Sequence, residues 1–467
     1  MIAFLSHSGY VGHTFVTPIM STSFRSRRVY LETYGCQMNV ADSEVVGGIL
    51  SAGNFAITPE IGDADVILVN TCAIRENAEQ RIYGRLGLFS TYKRGRPGTL
   101  IGVLGCMAER LRRDLLDEDW VDLVVGPDEY RKLPALIERA FEGEKGIAVR
   151  LSRVENYDDI TPRRTDGVSA WLSVMRGCDK FCTFCVVPFT RGRERSRTLE
   201  SVVAEVEDLA ADGYREVTLL GQNVNAFSDG IHDFADLMRA VASVDRTMRV
   251  RFTTSHPEDM SDRLIEAIAT EPNICKYIHL PVQSGADRIL ALMNRTYTIA
   301  RYRALIGRIR EAIPGVALST DIISGFPSET EAEHRMTVAL LEELRFDGAF
   351  TFKYSPRENT KAFDLHDDVP EEEKGRRVWE ITELQHAIAL ERNRALVGTV
   401  VRVLVDGPSR KSAADFTGRT DTNRSVVFPR TAEEPGDDAA IRIDRATSAT
   451  LLGVNVGTVR SLSESAA

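Results

Sequence analysis

Short apolar runs at Val29–Leu31, Asp65–Asn70 and Leu100–Leu104 are each followed by a stretch with helical spacing of its apolar residues: Asp42–Leu50, Glu76–Phe89 and Glu109–Leu116. Runs of that length read as buried strands, and the longer-period stretches as helices packed over them. Such alternation predicts an open parallel α/β sheet with helices on its faces. After a polar, charge-rich stretch the alternation resumes, with strands expected at Leu172–Met175, Val217–Leu220, Arg249–Thr253, Tyr277–Leu280, Ala317–Ile323 and Ala349–Tyr354. Amphipathic helices fall between them, for example Leu199–Ala211 and Tyr302–Ala312. Such units predict a partial (βα)6 barrel with its chemistry at the carboxyl ends of the strands. Beyond a charged helix near Glu371–Leu396 the pattern becomes short β runs, Val400–Val405, Ser425–Phe428 and Ala440–Ile443, broken by Gly, Pro, Asp and Asn. That is a small all-β domain. The expected division is an α/β multidomain chain: a disordered extension over 1–27, a sheet domain over 28–144, a linker over 145–163, a barrel over 164–396 and the β domain over 397–462.

Composition narrows the class. A chain of 467 residues, 43% of them hydrophobic, has enough apolar content for several cores. It contains no run approaching the ~20 apolar residues of a membrane span, and its first residues lack the basic start and sustained apolar core of a signal peptide. Met20 precedes the first strand, so residues 1–19 read as a disordered extension or an over-called start. A formal charge of −10 argues against coating nucleic acid through bulk positive potential, yet a local patch suffices to bind a folded RNA. Seven cysteines, an odd number in a large chain, fit a reducing, cytoplasmic setting better than a disulfide framework.

The cysteine positions carry the chemistry. Each of the first three predicted strands runs into a thiol, in Tyr34-Gly-Cys36, Asn70-Thr-Cys72 and Gly105-Cys106. A parallel sheet would gather these at one edge, outside the carboxyl ends of its strands, where open α/β sheets place ligands. The loop after the first barrel strand reads Cys178-Asp-Lys-Phe-Cys182-Thr-Phe-Cys185. Three thiolates can hold three irons of a four-iron cluster and leave the fourth open to substrate or cofactor. A closed zinc site would need a fourth ligand, and the loop offers none. Phe181 and Phe184 could shield the cluster or simply pack the barrel mouth. Arg191, Arg193, Arg195 and Arg197 lie beside the loop, where contact with phosphate or a cofactor carboxylate competes with a solvated surface. Cys275 has no cysteine partner and reads as an inert buried thiol.

The CxxxCxxC at a barrel mouth resembles the radical S-adenosylmethionine superfamily. Tyr34-Gly-Cys-Gln-Met-Asn39, Asp42-Ser-Glu44, Cys185-Val-Val-Pro-Phe-Thr-Arg-Gly192, Leu219-Leu-Gly-Gln-Asn-Val224, His279-Leu-Pro-Val-Gln-Ser-Gly285, Met293-Asn-Arg295, Gly325-Phe-Pro327 and Gly418-Arg-Thr-Asp-Thr-Asn423 narrow the likeness to the MiaB branch of its methylthiotransferases, from about residue 28 to about residue 460. That resemblance implies two 4Fe-4S clusters, one on Cys178, Cys182 and Cys185 that binds S-adenosyl-L-methionine, and an auxiliary one on Cys36, Cys72 and Cys106. It implies methylthiolation at C2 of N6-isopentenyladenosine at position 37 of tRNA. One S-adenosylmethionine serves as methyl donor and another as radical source. It further implies cofactor contacts from Gln222, Asn223 and Asp321, and a C-terminal TRAM barrel gripping RNA through Arg410, Lys411, Arg419 and Arg424, with Arg402 nearby. A low-potential donor of flavodoxin or ferredoxin type, no membrane and a monomeric state complete the expectation. Ser328 and Glu358-Asn359 depart from the Gly and Pro-Gly of the corresponding family loops. Two other readings stay open. One is a methylthiotransferase for threonylcarbamoyl adenosine in tRNA or for a ribosomal-protein aspartate, and the other is a non-catalytic iron–sulfur RNA-binding redox sensor.

Overall fold

Strand Arg28–Tyr34 is flanked by Ala56–Ile57 on one side and Val66–Thr71 on the other, and the sheet continues through Leu100–Gly105, Leu123–Val125 and Gly146–Ala148. All pairings are parallel, as the strand–helix alternation predicts. The central strands Val66–Thr71 and Leu100–Gly105 are buried along their whole length, which is why they appear in the sequence as unbroken apolar runs. The computed structural model describes residues 26–72, 76–164 and 167–458. The expected N-terminal extension lies outside the described residues as far as residue 25.

The segment expected as a linker is tied down. Gly146–Ala148 forms the sixth strand of the sheet. Tyr157 is buried, its hydroxyl donating to the Pro127 carbonyl at 3.0 Å and accepting from the Tyr130 N–H. The Arg163 N–H reaches the Glu44 carbonyl at 2.8 Å. Polar side chains here satisfy local backbone groups, so their density imitates a solvated linker.

The middle domain carries six parallel strands in sequence order. Ser169–Ser173, Glu216–Leu220 and Arg249–Thr253 form one sheet, and Tyr277–His279, Ala317–Ser324 and Gly348–Lys353 the next. A parallel bridge from Val250 to Ile274 joins them, giving the expected open barrel. Several of its helices start on side-chain caps: Thr198 accepts from the Ser201 N–H, and Thr330 and Glu333 form a reciprocal capping box. Helix Glu371–Arg394 leads into a closed five-stranded barrel of Val400–Ser409, Ser412–Arg419, Ser425–Pro429, Leu451–Thr458 and Asp438–Ala446. Among the described residues no helix is long and apolar enough to cross a membrane.

Candidate active site

Strand register brings the first three cysteines together. Tyr34 pairs with Thr71, and Thr71 with Gly105, so Cys72 and Cys106 are the next residues on adjacent strands and Cys36 follows one step later. Cys36 caps helix Gln37–Ala52, and Cys106 opens helix Cys106–Leu111. Buried amides stitch these ends to each other. Asn39 donates to the Asn70 side chain and to the Thr71 carbonyl, both at 3.1 Å, and Asn70 donates back to the Asn39 carbonyl at 3.0 Å. The Thr71 hydroxyl reaches the Leu104 carbonyl at 2.7 Å. Gly105 makes the turn at φ +89°, where an added Cβ would stand 2.3 Å from Asn70 Oδ1; only glycine suits both the dihedral and the space.

The second trio lies on the loop after Met175–Arg176. Gly177, at φ +81°, leaves no room for a side chain, because a Cβ there would stand 2.0 Å from the Arg193 carbonyl oxygen. Its N–H donates to Gln222 Oε1 at 2.5 Å. Asn294 donates to the carbonyls of Lys180 and Phe181, and Arg295, itself buried, donates to Cys182 Sγ at 3.4 Å. Phe184 packs into an apolar cluster with Met293, Phe326 and Tyr354, anchoring the loop to the barrel, while the Arg193 guanidinium lies over Phe181.

The two trios face each other across the domain contact. Cys106 packs against Val186, the residue after Cys185, and Cys36 against a small cluster of Met38, Ala41 and the barrel-mouth residue Leu220. Buried Asp42 accepts from Arg176 and from Arg191, each at 2.8 Å, and Arg191 Nε lies 3.2 Å from Cys106 Sγ. Burial pushes the Cys178 and Cys185 thiols up to about 12 and raises Cys106. Cys36 is drawn down to about 6, first by the neighbouring Cys72 thiol and then by the Arg191 charge, against its burial. None of the seven cysteines is in a disulfide. No three His, Cys, Asp or Glu side chains among the described residues converge on one ion. Ligands of a four-iron cluster each take a different iron and need not converge on one point, so a trio of thiols with an arginine N–H on one of its sulfurs fits such a cluster.

Comparison with known proteins agrees. The radical SAM superfamily matches residues 172–341, the TRAM domain residues 394–456, and the uncharacterized protein family UPF0004 residues 28–126. The tRNA-2-methylthio-N(6)-dimethylallyladenosine synthase of Bacteroides thetaiotaomicron is 49% identical over 444 residues, covering 93% of this chain and 98% of that protein. Its counterpart from Chloroherpeton thalassium is 51% identical over 430 residues, covering 91% and 95%. The chain belongs to this synthase family. In fold alone it also resembles the radical S-adenosylmethionine methyltransferase TsrM of Kitasatospora setae, with a TM-score of 0.55 and 15% identity over 80% of this chain and 76% of that one.

The remaining expected site residues of this family member divide. Gln222 and Asn223 sit in the turn beyond Leu220, against the cysteine loop. Asn223 donates to Glu194 and Asp259, while Gln222 Nε2 and Asn223 Oδ1 are buried without partners. Asp321 lies within strand Ala317–Ser324, three residues before its end, with Oδ1 3.5 Å from His279 Nε2. The four arginines beside the loop are all engaged by carboxylates: Arg191 by Asp42, Arg193 by Asp179, Arg195 by Asp128 and Arg197 by Glu205. They are not held out for phosphate. Arg410 and Lys411 are exposed at a hairpin tip. Arg419 and Arg424 instead bind Glu216 and Asp347 of the middle domain, and Arg402 binds Asp438. Ser328 and Asn359 take up φ +66° and +68°, the left-handed conformation that glycine adopts freely. Cys275 is buried away from both trios, on the bridge joining the two barrel sheets. Asp42, Arg176 and Arg295 have roles that sequence reading missed.

Proposed function

We propose that this synthase methylthiolates C2 of N6-isopentenyladenosine at position 37 of tRNA, with two four-iron clusters, one on Cys178, Cys182 and Cys185 and an auxiliary one on Cys36, Cys72 and Cys106. The observation that carries this reading is the direct contact of Cys106 with Val186 and Arg191, which sets one open thiol trio against the other. When bound, the cluster and S-adenosylmethionine together supply a carbon radical strong enough to take hydrogen from an unactivated aromatic C–H.

The chain's own residues hold and shield. Gln222 Nε2 and Asn223 Oδ1 are an unpaired buried donor and acceptor beside the loop. They match the carboxylate and ammonium of an amino-acid group. Gly177, Asn294 and Arg295 fix the loop, and Asn39 and Asn70 fix the facing trio. Asp321, 3.5 Å from His279 Nε2, presents its carboxylate to the cofactor. Arg410 and Lys411 contact tRNA phosphates, and a splayed-out base reaches the barrel mouth. Electrons come from a low-potential donor of flavodoxin or ferredoxin type.

The test is mass spectrometry of nucleosides. Anaerobically reconstituted protein, S-adenosylmethionine, sulfide and reductant are incubated with an anticodon stem-loop bearing isopentenyladenosine. A methylthio product that disappears in Cys72→Ala is expected. Formation of 5′-deoxyadenosine without that product would overturn the substrate and leave the radical half standing.

A further inference from the structure

The domain contact buries an unbalanced set of charges. Arg176, Arg191 and Arg195 are all less than a tenth exposed, as are Asp42 and Asp128. Asp42 takes Arg176 on one oxygen and Arg191 on the other; Asp128 takes Arg195 and lies 3.9 Å from Arg176 Nε. The Tyr130 hydroxyl on Asp42 and the Tyr157 ring beside Arg176 add no charge. Buried Glu109, near Asp128, is taken by Arg112, so three guanidiniums face two carboxylates in this network, and a buried cation without a counter-ion is strongly destabilising. Arg191 indicates where the missing negative charge belongs. Its Nη2 is on Asp42, its Nε is on Cys106 Sγ, and its Nη1 is buried with no partner at all. Cys36 lies within reach of the same positive charge.

We propose that Arg191 is the counter-ion and hydrogen-bond donor of the cluster held by Cys36, Cys72 and Cys106, oriented by Asp42, and that it raises this cluster's reduction potential. The inference rests on the auxiliary-cluster reading above. A cluster on three thiolates is anionic and becomes more so on reduction, so a cation with N–H donors at its sulfurs favours the reduced form. The arginine comes from the radical domain, on the chain just beyond helix Val187–Thr190, whereas the thiols come from the sheet domain. The auxiliary centre thus acquires its potential only when the two domains are docked. Arg295 on Cys182 repeats the device at the other trio.

The experiment uses the full chain carrying Cys178→Ala, Cys182→Ala and Cys185→Ala, reconstituted anaerobically with iron and sulfide, so that only the auxiliary cluster can form. Iron and sulfide content establishes whether it does; failure to bind them overturns the cluster assignment and the proposal with it. Potentiometric titration followed by electron paramagnetic resonance then reads the tuning. Adding Arg191→Gln is expected to lower the reduced-to-oxidised ratio at fixed potential at least tenfold, about 59 mV for one electron. Asp42→Asn, which removes a negative charge from the same network and keeps an oxygen to accept from Arg191, is expected to shift the potential upward. Unchanged potentials, or two shifts in the same direction, would overturn the role of Arg191 while leaving the cluster in place. Should Arg191→Gln lose its iron, the Asp42→Asn arm decides alone, and absence of an upward shift overturns the proposal.

Discussion

His256 accepts a hydrogen bond from the Glu258 N–H and packs edge-on against Tyr297. Burial, helped by the positive charges of Arg295 and Lys180, pulls its pKa from 6.5 to about 2. The unfolded chain therefore takes up a proton below pH 6.5 that the native ring refuses until about pH 2. Stability from this group is complete above pH 6.5 and falls on acidification by about 1.4 kcal/mol per pH unit. Asparagine can keep the cap and cannot protonate. Between pH 7 and 5, His256→Asn is expected to lose about 2 kcal/mol less stability than the unsubstituted chain, read from urea unfolding at both pH values. Equal losses would show that the ring is protonated in the fold. The six cysteines proposed as cluster ligands are legible in sequence at this scale because metal chemistry fixes residue type and spacing. The partners of Asp42 are not, since Arg176 and Arg191 lie more than a hundred positions away.

Elements transmit these positions to the site. The cysteine loop depends on the φ of Gly177 and on its close approach to the Arg193 carbonyl. Gly177→Ala is expected to strip iron from the Cys178 trio, so that S-adenosylmethionine cleavage falls at least tenfold, and to leave the auxiliary trio loaded. Iron analysis beside 5′-deoxyadenosine formation checks this; full iron content with normal cleavage would contradict it. Buried parallel strands were legible as apolar runs, and helix Leu199–Ala211 has the bounds its periodicity predicts. Three short strands of the first sheet were not: Ala56–Ile57, Leu123–Val125 and Gly146–Ala148. Their lengths give no periodicity, and their pairing comes from the neighbouring strand. Strand Ser412–Arg419 shows no apolar run because polar and small residues dominate it, and Gly453 and Gly457 interrupt the apolar run of Leu451–Thr458, in a barrel that is solvated outside.

For the whole molecule, the small barrel docks on the amino-terminal ends of the middle strands, opposite the cysteines. Arg249 binds Asp438 and the Arg419 carbonyl, Arg251 binds the carbonyls of Thr420 and Asp421, and Arg419 returns to Glu216. The motif Gly418-Arg-Thr-Asp-Thr-Asn423 thus closes the barrel's lower end. Two kinds of basic residue follow. Arg410→Ala with Lys411→Ala should weaken tRNA binding and flatten its salt dependence by about one to two units of slope, without loss of stability. Arg419→Ala should leave that slope unchanged and destabilise the fold by about 1–3 kcal/mol. Binding measured across a salt series, with unfolding of both variants, separates them; a reduced slope in Arg419→Ala would return that residue to the RNA surface.

The sequence by itself determined the chemistry and the kind of each domain. Thiol spacing limits which metal centre can form, and apolar periodicity limits which elements can pack. The tertiary structure alone decided which charges meet. Ion pairs join residues of one domain or of two at no fixed spacing, so a string of arginines reads the same whether it awaits phosphate or is already held by Asp42, Asp179, Asp128 and Glu205.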